Sequence, residues 1–427
     1  MLDSNILIQN LLDKKYDEQL NNVYIDAHLI EYQRERYITS VKEFQKYFGE
    51  EEVEIYSTPG RSEVCGNHTD HQYGMVLATS INLDSIAVVS RNEEGIVRIK
   101  SKNYDLFEVK VEELTLREEE KETSISLVKG VLQGLKEAGY KLGGFNLYTT
   151  SDVLIGAGLS SSAAFEVLVG TVVSGLYNEM QISPIKLAQV AQYAENVYFG
   201  KPCGLMDQMA CSVGNLIHID FENPKNPTVN QVEIDFEKYH YSLCIVDTKG
   251  SHADLTEDYG LIPLEMKQVA QCMGAEVLRQ VKESDFIEKI PEIREKVSDR
   301  AVLRALHFYQ EEKNVEAAVK ALENGEFIEF LSIIKQSGNS SFKYLQNVYT
   351  NHDVEHQNMS LALALTEQFL GENGVCRVHG GGFAGTIQCF IKNDVVYDYK
   401  EYIERVFGKD SCHVLKVRKY GGIKVIS

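Results

Sequence analysis

Positive charge is scarce in this chain. Its 427 residues carry 43 Lys and Arg against 63 Asp and Glu, a formal net charge of −20. That imbalance argues against nucleic acid and against anionic membrane surfaces as partners. Any phosphate handled here must meet positive groups gathered locally, or a metal ion. Cysteine is present without a pattern. Cys65, Cys203, Cys211, Cys244, Cys272, Cys376, Cys389 and Cys412 stand apart, with no Cys-x-x-Cys pair. This excludes the usual zinc spacing and a disulfide framework, and fits buried free thiols in a reducing compartment. No uncharged apolar run reaches the ~18 residues of a membrane span. The opening MLDSNILIQNLLDKKYDEQ has neither the basic start nor the apolar core of a secretory leader. A cytoplasmic protein is the expectation. Repeats and low-complexity tracts are also missing.

What is present is ordinary in bulk and unusual in places. Content of 44% apolar and 25% charged residues fits a globular protein, and the length allows two or three domains. The stretch from Ser151 to Tyr177, SDVLIGAGLSSSAAFEVLVGTVVSGLY, is the centre of the pattern. An alternating segment, Phe145–Thr149, predicts a strand running into it. Gly156, Gly158 and three serines then open an apolar run at helical spacing, apolar enough to be buried nearly all round. Glycines let a backbone approach a ligand, and a helix start offers free N–H groups and a partial positive charge. Such a loop suits an anion. The plain alternative is a turn whose serine caps the helix. Neither the Rossmann nor the Walker spacing is met: Ser161 stands where a third glycine belongs, and no Gly-Lys-Ser/Thr follows.

Along the chain, residues 1–50 predict an appended helical layer with Tyr32, Tyr37, Val41, Phe44 and Phe48 on one stripe. Strands are predicted at Val53–Ser57, Ser85–Ser90 and Ile96–Lys100, with a turn at Thr58–Arg61. A helix is predicted from Ser126 to Ala138. Ser183-Pro184 opens another, with Leu187, Val190, Ala191, Ala194, Val197 and Tyr198 as its apolar stripe. The prolines and asparagines of Asn223–Thr228 suggest a domain junction. Beyond them come a strand at Tyr241–Asp247, helices to about Leu370, and strands around Val375–His379, Thr386–Lys392 and His413–Val417.

Four further segments carry candidate chemistry. Gly60 to His71 is a polar knot holding Arg61, Asn67, His68, Asp70 and His71. It reads as a hydrogen-bonded turn, or as a metal site that lacks a further ligand. Glu195 sits at the edge of an apolar stripe, either a surface charge or a carboxylate aimed into a site. Cys203-Gly204-Leu205-Met206-Asp207-Gln208 places one Asp among apolar neighbours, where an unpaired charge is costly. It either caps the following helix or acts as a base beside Arg61. His379-Gly380-Gly381-Gly382-Phe383-Ala384-Gly385 matches Gly-x-Gly-x-x-Gly, but a strand-like segment follows instead of a helix. It reads as a tight loop packed against something, the Gly/Ser loop being one candidate.

In their order along the chain these segments resemble the galactokinase branch of the GHMP small-molecule kinases: Pro-Gly-Arg with Gly-x-His-Thr-Asp, then Gly-x-Gly-Leu-Ser-Ser-Ser-Ala, then Met-Asp-Gln, then Gly-Gly-Gly-Phe-x-Gly. The resemblance implies an α+β, two-domain fold: a mixed-sheet N-terminal domain with buried helices over 1–217, its first 50 residues appended, and a ferredoxin-like domain over 218–427. It implies ATP and Mg²⁺, and transfer of the γ-phosphate to the anomeric hydroxyl of galactose. By position, Asp207 matches the catalytic base and Arg61 the arginine beside it. Gly156, Gly158, Ser160 and Ser161 would cradle the ATP phosphates, and Ser162 with Glu195 would hold the metal. Asn67, His68, Asp70, Gly204 and Tyr259 match sugar-side positions. Asn67 departs from the glutamate usual there, so galacturonate or another galactose-configured sugar is the alternative substrate. A sugar-binding regulator without catalysis is a further alternative, and a hydrolase built on His68, Asp70 and His71 a third. A monomer is the expected state.

Overall fold

The computed structural model describes residues 1–154, 158–250, 255–383 and 385–427. Its described strands form a nine-stranded sheet and a four-stranded sheet. The larger sheet runs Leu2–Asp3, Glu52–Cys65, Met75–Asn92, Gly144–Ser151, Ile96–Ser101, Phe107–Lys110, with Leu216–Asp220, Thr228–Val232 and Ile423–Ile426 attached at its sides. Ile96–Ser101 pairs parallel with Gly144–Ser151. The pairs Glu52–Cys65 with Met75–Asn92, and Met75–Asn92 with Gly144–Ser151, are antiparallel, so the sheet is mixed.

Strand alternation divides the side chains between two cores. Tyr56, Ala87, Val89, Phe145 and Leu147 face the helices Ser124–Glu137, Ser161–Tyr177 and Pro184–Tyr193. Ile55, Ile86, Val88 and Tyr148 face the opposite way, onto Leu7, Leu11, Tyr37, Val41 and Phe44 of the N-terminal helices Ser4–Leu12 and Ile30–Phe48. The appended layer is thus the second cover of the sheet, and Leu2–Asp3 ties it to Glu52–Val53. Tyr32, expected on its buried stripe, is exposed.

The helix Ser161–Tyr177 is buried on nearly every side. Its Ala163, Ala164 and Val167 join one core and its Leu168, Val169, Val172 and Val173 another. Burying each Val or Leu contributes about 1.5–3 kcal/mol, against a helix-propensity cost of at most ~0.7 kcal/mol for each valine. Packing therefore fixes this helix.

The smaller sheet has the order Gly374–His379, Thr386–Lys392, Tyr241–Asp247, Cys412–Leu415, antiparallel throughout. With helices between its first and second strands in the chain, and Val396–Phe407 between its third and fourth, this is the ferredoxin-like βαββαβ arrangement. A division at 217/218 falls inside the strand Leu216–Asp220, and the Asn223–Thr228 segment is the connection to Thr228–Val232, which pairs with it in the larger sheet. Ile423–Ile426 also returns to that sheet, beside Glu52–Cys65. We propose the division after Val232, with the last strand returning to the first body. Among the described residues no helix is long and apolar enough to cross a membrane.

Candidate active site

The turn expected at Thr58–Arg61 is a β-bulge inside the strand Glu52–Cys65, where the register shifts between Pro59 and Arg61. The Arg61 N–H leaves the ladder and donates to Leu159 O at 3.2 Å. Gly60 permits this approach, because a Cβ there would lie 2.9 Å from Leu159 O and from Val153 Cγ1. Bulges re-aim side chains, and here the guanidinium reaches Asp207. Arg61 Nε donates to Asp207 Oδ1 at 2.6 Å and Nη2 to Oδ2 at 2.8 Å, while Nη1 donates to the Gly158 carbonyl. Two residues 146 apart in sequence thus form a bidentate pair against the Gly/Ser loop.

Asp207 stands in the first turn of the helix Met206–Val213, which Leu205 precedes at the cap position. It is therefore not the cap. Burial works against its charge, but the Arg61 guanidinium and hydrogen bonds from Arg61 and Ser160 outweigh burial and hold it below the usual aspartate value. Its side chain keeps 31% exposure, so a substrate can reach it. The serine-cap reading of the loop also fails. Ser160 occupies the cap position with φ 57°, ψ 57° and caps nothing; its hydroxyl donates to Asp207 Oδ2 instead. A serine held in the left-handed region is strained, and such strain gathers at functional sites. Gly158, at φ +65°, packs under the second sheet: a Cβ there would sit 3.0 Å from Thr386 Oγ1 and 3.4 Å from His379 Nδ1. Thr386 and His379 are strand residues flanking the glycine loop; the loop's own carbonyls, of Gly380, Gly381 and Gly382, meet Asn67, His68, Asn347 and Tyr259. Gly156 lies outside the described residues. Ser161 is the first residue of the central helix.

Ser162 and Glu195 come together, with Ser162 Oγ donating to Glu195 Oε1 at 3.4 Å. A π-helical turn, Ala194–Phe199, makes this possible. The extra residue in the turn rotates Glu195 inward, to 3% exposure, and Val197 outward, to 47%, so Val197 leaves the predicted apolar stripe. Lys201 Nζ lies 3.4 Å from Glu195 Oε1.

The remaining expected residues separate into groups. Asp70 packs directly on Gly204, where a Cβ would lie 1.7 Å from Asp70 Oδ2. His68 places Nε2 3.1 Å from Gly381 O, and its ring stacks with His71 at 5.8 Å. Burial, with His71 beside it, lowers the His68 pKa to about 3, so the ring is neutral. Tyr259 donates to Gly382 O at 2.6 Å and lies against Gly381. Asn67, expected on the sugar side, is turned inward. Its Nδ2 donates to Glu63 Oε1 at 2.9 Å and Gly380 O at 2.7 Å, and its Oδ1 accepts from Asn347 Nδ2 at 2.8 Å. The amide is buried and its bonding capacity is used within the protein. His68, Asp70 and His71 form no metal cage: among the described residues no group of three or more His, Cys, Asp or Glu is placed to hold a metal alone.

Two further residues belong here. Gln208 donates through Nε2 to Glu195 Oε2 at 2.8 Å, and Glu166 Oε2 lies 3.4 Å from the same nitrogen. Glu166 left a signal in the sequence, as the lone charge in the 17-residue helix Ser161–Tyr177.

The comparisons fall on the same residues. The GHMP kinases N terminal domain matches residues 126–215, covering the Gly/Ser loop, Glu195 and Asp207. The galactokinase galactose-binding signature matches residues 42–91, covering Arg61 and Asp70. The galactokinase of Streptomyces coelicolor is 30% identical over 345 residues, 80% of this chain and 86% of that protein. The galactokinase of Glaesserella parasuis is 27% identical over 376 residues, 87% of this chain and 94% of that protein. The structure of Lactococcus lactis galactokinase complexed with galactose superposes with a TM-score of 0.77 at 25% identity, covering 90% of this chain and 98% of that one. Methanococcus jannaschii mevalonate kinase shares the fold at 14% identity, with a TM-score of 0.60. With the 30% identical relative covered over most of its length, and both family signatures in their expected order, the chain belongs to the galactokinase family of GHMP kinases.

Proposed function

We propose that this protein is an ATP-dependent sugar 1-kinase that transfers the γ-phosphate to the anomeric hydroxyl of galactose. The observation that carries this reading is the bidentate Arg61–Asp207 pair, 2.6 and 2.8 Å, with Ser160 bonded to the same carboxylate. Phosphoryl transfer rests mainly on positioning and charge stabilisation. Asp207, kept ionised by Arg61, accepts the proton of the attacking hydroxyl as that hydroxyl becomes acidic in the transition state. Arg61 offsets charge on the moving phosphoryl group. Gly158, Ser160 and Ser161, at the start of the central helix, receive the nucleotide phosphates, where N–H groups and the helix dipole favour anions. Asp70, His68, Gly204 and Tyr259 form the sugar side.

Ser162 and Glu195 would hold Mg²⁺. Both offer oxygen donors, which suits a hard cation bound through one or two carboxylates plus substrate phosphates. The ion, when bound with ATP, neutralises phosphate charge.

A coupled ADP-release assay over a panel of free sugars tests the reading. Galactose is expected to release ADP fastest. Faster release with galacturonate would assign the alternative substrate. No release with any galactose-configured sugar would refute the kinase reading and leave the sugar-binding regulator.

A further inference from the structure

Ser162 and Glu166 stand four residues apart on one helix, so both face the Glu195 turn and the helix that carries Gln208. Glu166 is 1% exposed and Glu195 3%. The two carboxylates share a single donor: Gln208 Nε2 lies 2.8 Å from Glu195 Oε2 and 3.4 Å from Glu166 Oε2. Lys201, the cation paired with Glu195, is itself 64% exposed. Of the cluster's three remaining carboxylate and amide oxygens, Glu195 Oε1 meets Ser162 Oγ and Lys201 Nζ, while Glu166 Oε1 and Gln208 Oε1 are buried with no hydrogen-bond partner. Buried polar atoms are ordinarily satisfied, and an orphan calls for an explanation. Two orphans that are both acceptors, next to a second carboxylate, leave room for a proton or for a cation.

We propose that Glu166 belongs to the divalent-cation site of Ser162 and Glu195 and supplies its second carboxylate, with Gln208 holding the two carboxylates in place. This rests on the cation role given above to Ser162 and Glu195. Two carboxylates and a hydroxyl are too few to hold a cation alone, so nucleotide phosphate oxygens complete the set. Glu166 then has a function that its position in an otherwise uncharged buried helix does not otherwise explain.

The experiment is Mn²⁺ binding, followed by electron paramagnetic resonance, to the full chain with ADP present. Wild type is compared with E166Q, S162A and E195Q, and folding is checked by circular dichroism and thermal melting. E166Q keeps the shape and removes the charge. It is expected to weaken Mn²⁺ by about 10–100-fold, the range typical when groups supporting a metal site are removed, while ADP affinity without metal is unchanged. If Glu166 instead carries a proton, the neutral amide is an equivalent group, and Mn²⁺ affinity within twofold of wild type overturns the proposal. Q208L is the second variant: it keeps both carboxylates without their shared donor, and weakened Mn²⁺ is again expected. Loss of Mn²⁺ in S162A and E195Q with none in E166Q or Q208L defeats this proposal alone. No effect in any of the four defeats the cation role of Ser162 and Glu195 as well.

Discussion

Arg61 illustrates why residue identity matters more than charge at this site. Its fork meets both oxygens of Asp207 while its remaining nitrogen reaches Gly158 O. Lysine keeps the charge but has no planar fork. R61K is therefore expected to lower kcat by about 10²-fold, the scale of losing one preorganised charge-stabilising donor. Steady-state kinetics will read this, with CD confirming the fold. Gly204 makes a second residue-scale prediction. A methyl there would intrude on Asp70, 1.7 Å from its Oδ2. G204A is expected to raise KM for the sugar several-fold and leave KM for ATP near its wild-type value. Equal changes in both constants would place Asp70 off the sugar side.

At the scale of elements, two irregularities build the site, a bulge that aims Arg61 and a π-turn that aims Glu195. Neither was legible in the sequence. The strand around Pro59-Gly60 read as a turn because proline and glycine usually mark one, and only the approach of Leu159 shows why the strand continues. The stripe through Val197 followed a regular helix period, which an inserted residue breaks. What was legible was the Gly/Ser loop, the buried central helix and most strands, because period and composition alone specify them. The helix Ile30–Phe48 was legible as a helix but not in its attachment. Arg36 Nη1 lies 2.7 Å from Asp84 Oδ1 and 2.9 Å from Asp152 Oδ2, and Nη2 donates to the Asp84 and Thr150 carbonyls at 2.9 and 3.2 Å. This anchors the layer to the strand Gly144–Ser151, which precedes the Gly/Ser loop. Breaking a buried ion pair costs about 3–5 kcal/mol. R36A is expected near the lower end, because Arg418 still reaches Asp84 Oδ2 at 3.1 Å. Urea unfolding will measure the loss.

Across the whole molecule, the strand Glu52–Cys65 is gripped by the second sheet. Arg377 Nη2 meets Glu63 Oε1 at 3.0 Å, and Gln388 Nε2 donates to Ser62 Oγ and Glu63 O, both at 2.7 Å. Long-range pairs of this kind leave no trace in local periodicity, which is why the bonds that Asn67 makes with Gly380 O and Asn347 Nδ2 could not be read from its own segment. Burial raises the Glu63 pKa from 4.5 to about 7, although Arg377 and Arg61 oppose the rise. A carboxyl with a raised folded pKa binds a proton on folding between those two values, so stability falls as pH rises from about 4.5 to 7. E63Q is expected to flatten that slope in thermal melts taken across the same window. A slope unchanged in E63Q would assign it to another group.

The proposed phosphoryl transfer depends on Asp207 being the base for a sugar hydroxyl beside bound nucleotide. The direct measurement is galactose-dependent ADP release by D207A against wild type, with nucleotide binding measured on both. The prediction is robust release by wild type and a fall of about 10²–10⁴-fold in D207A, with nucleotide affinity retained. A D207A protein that turns over galactose at a near wild-type rate would contradict it.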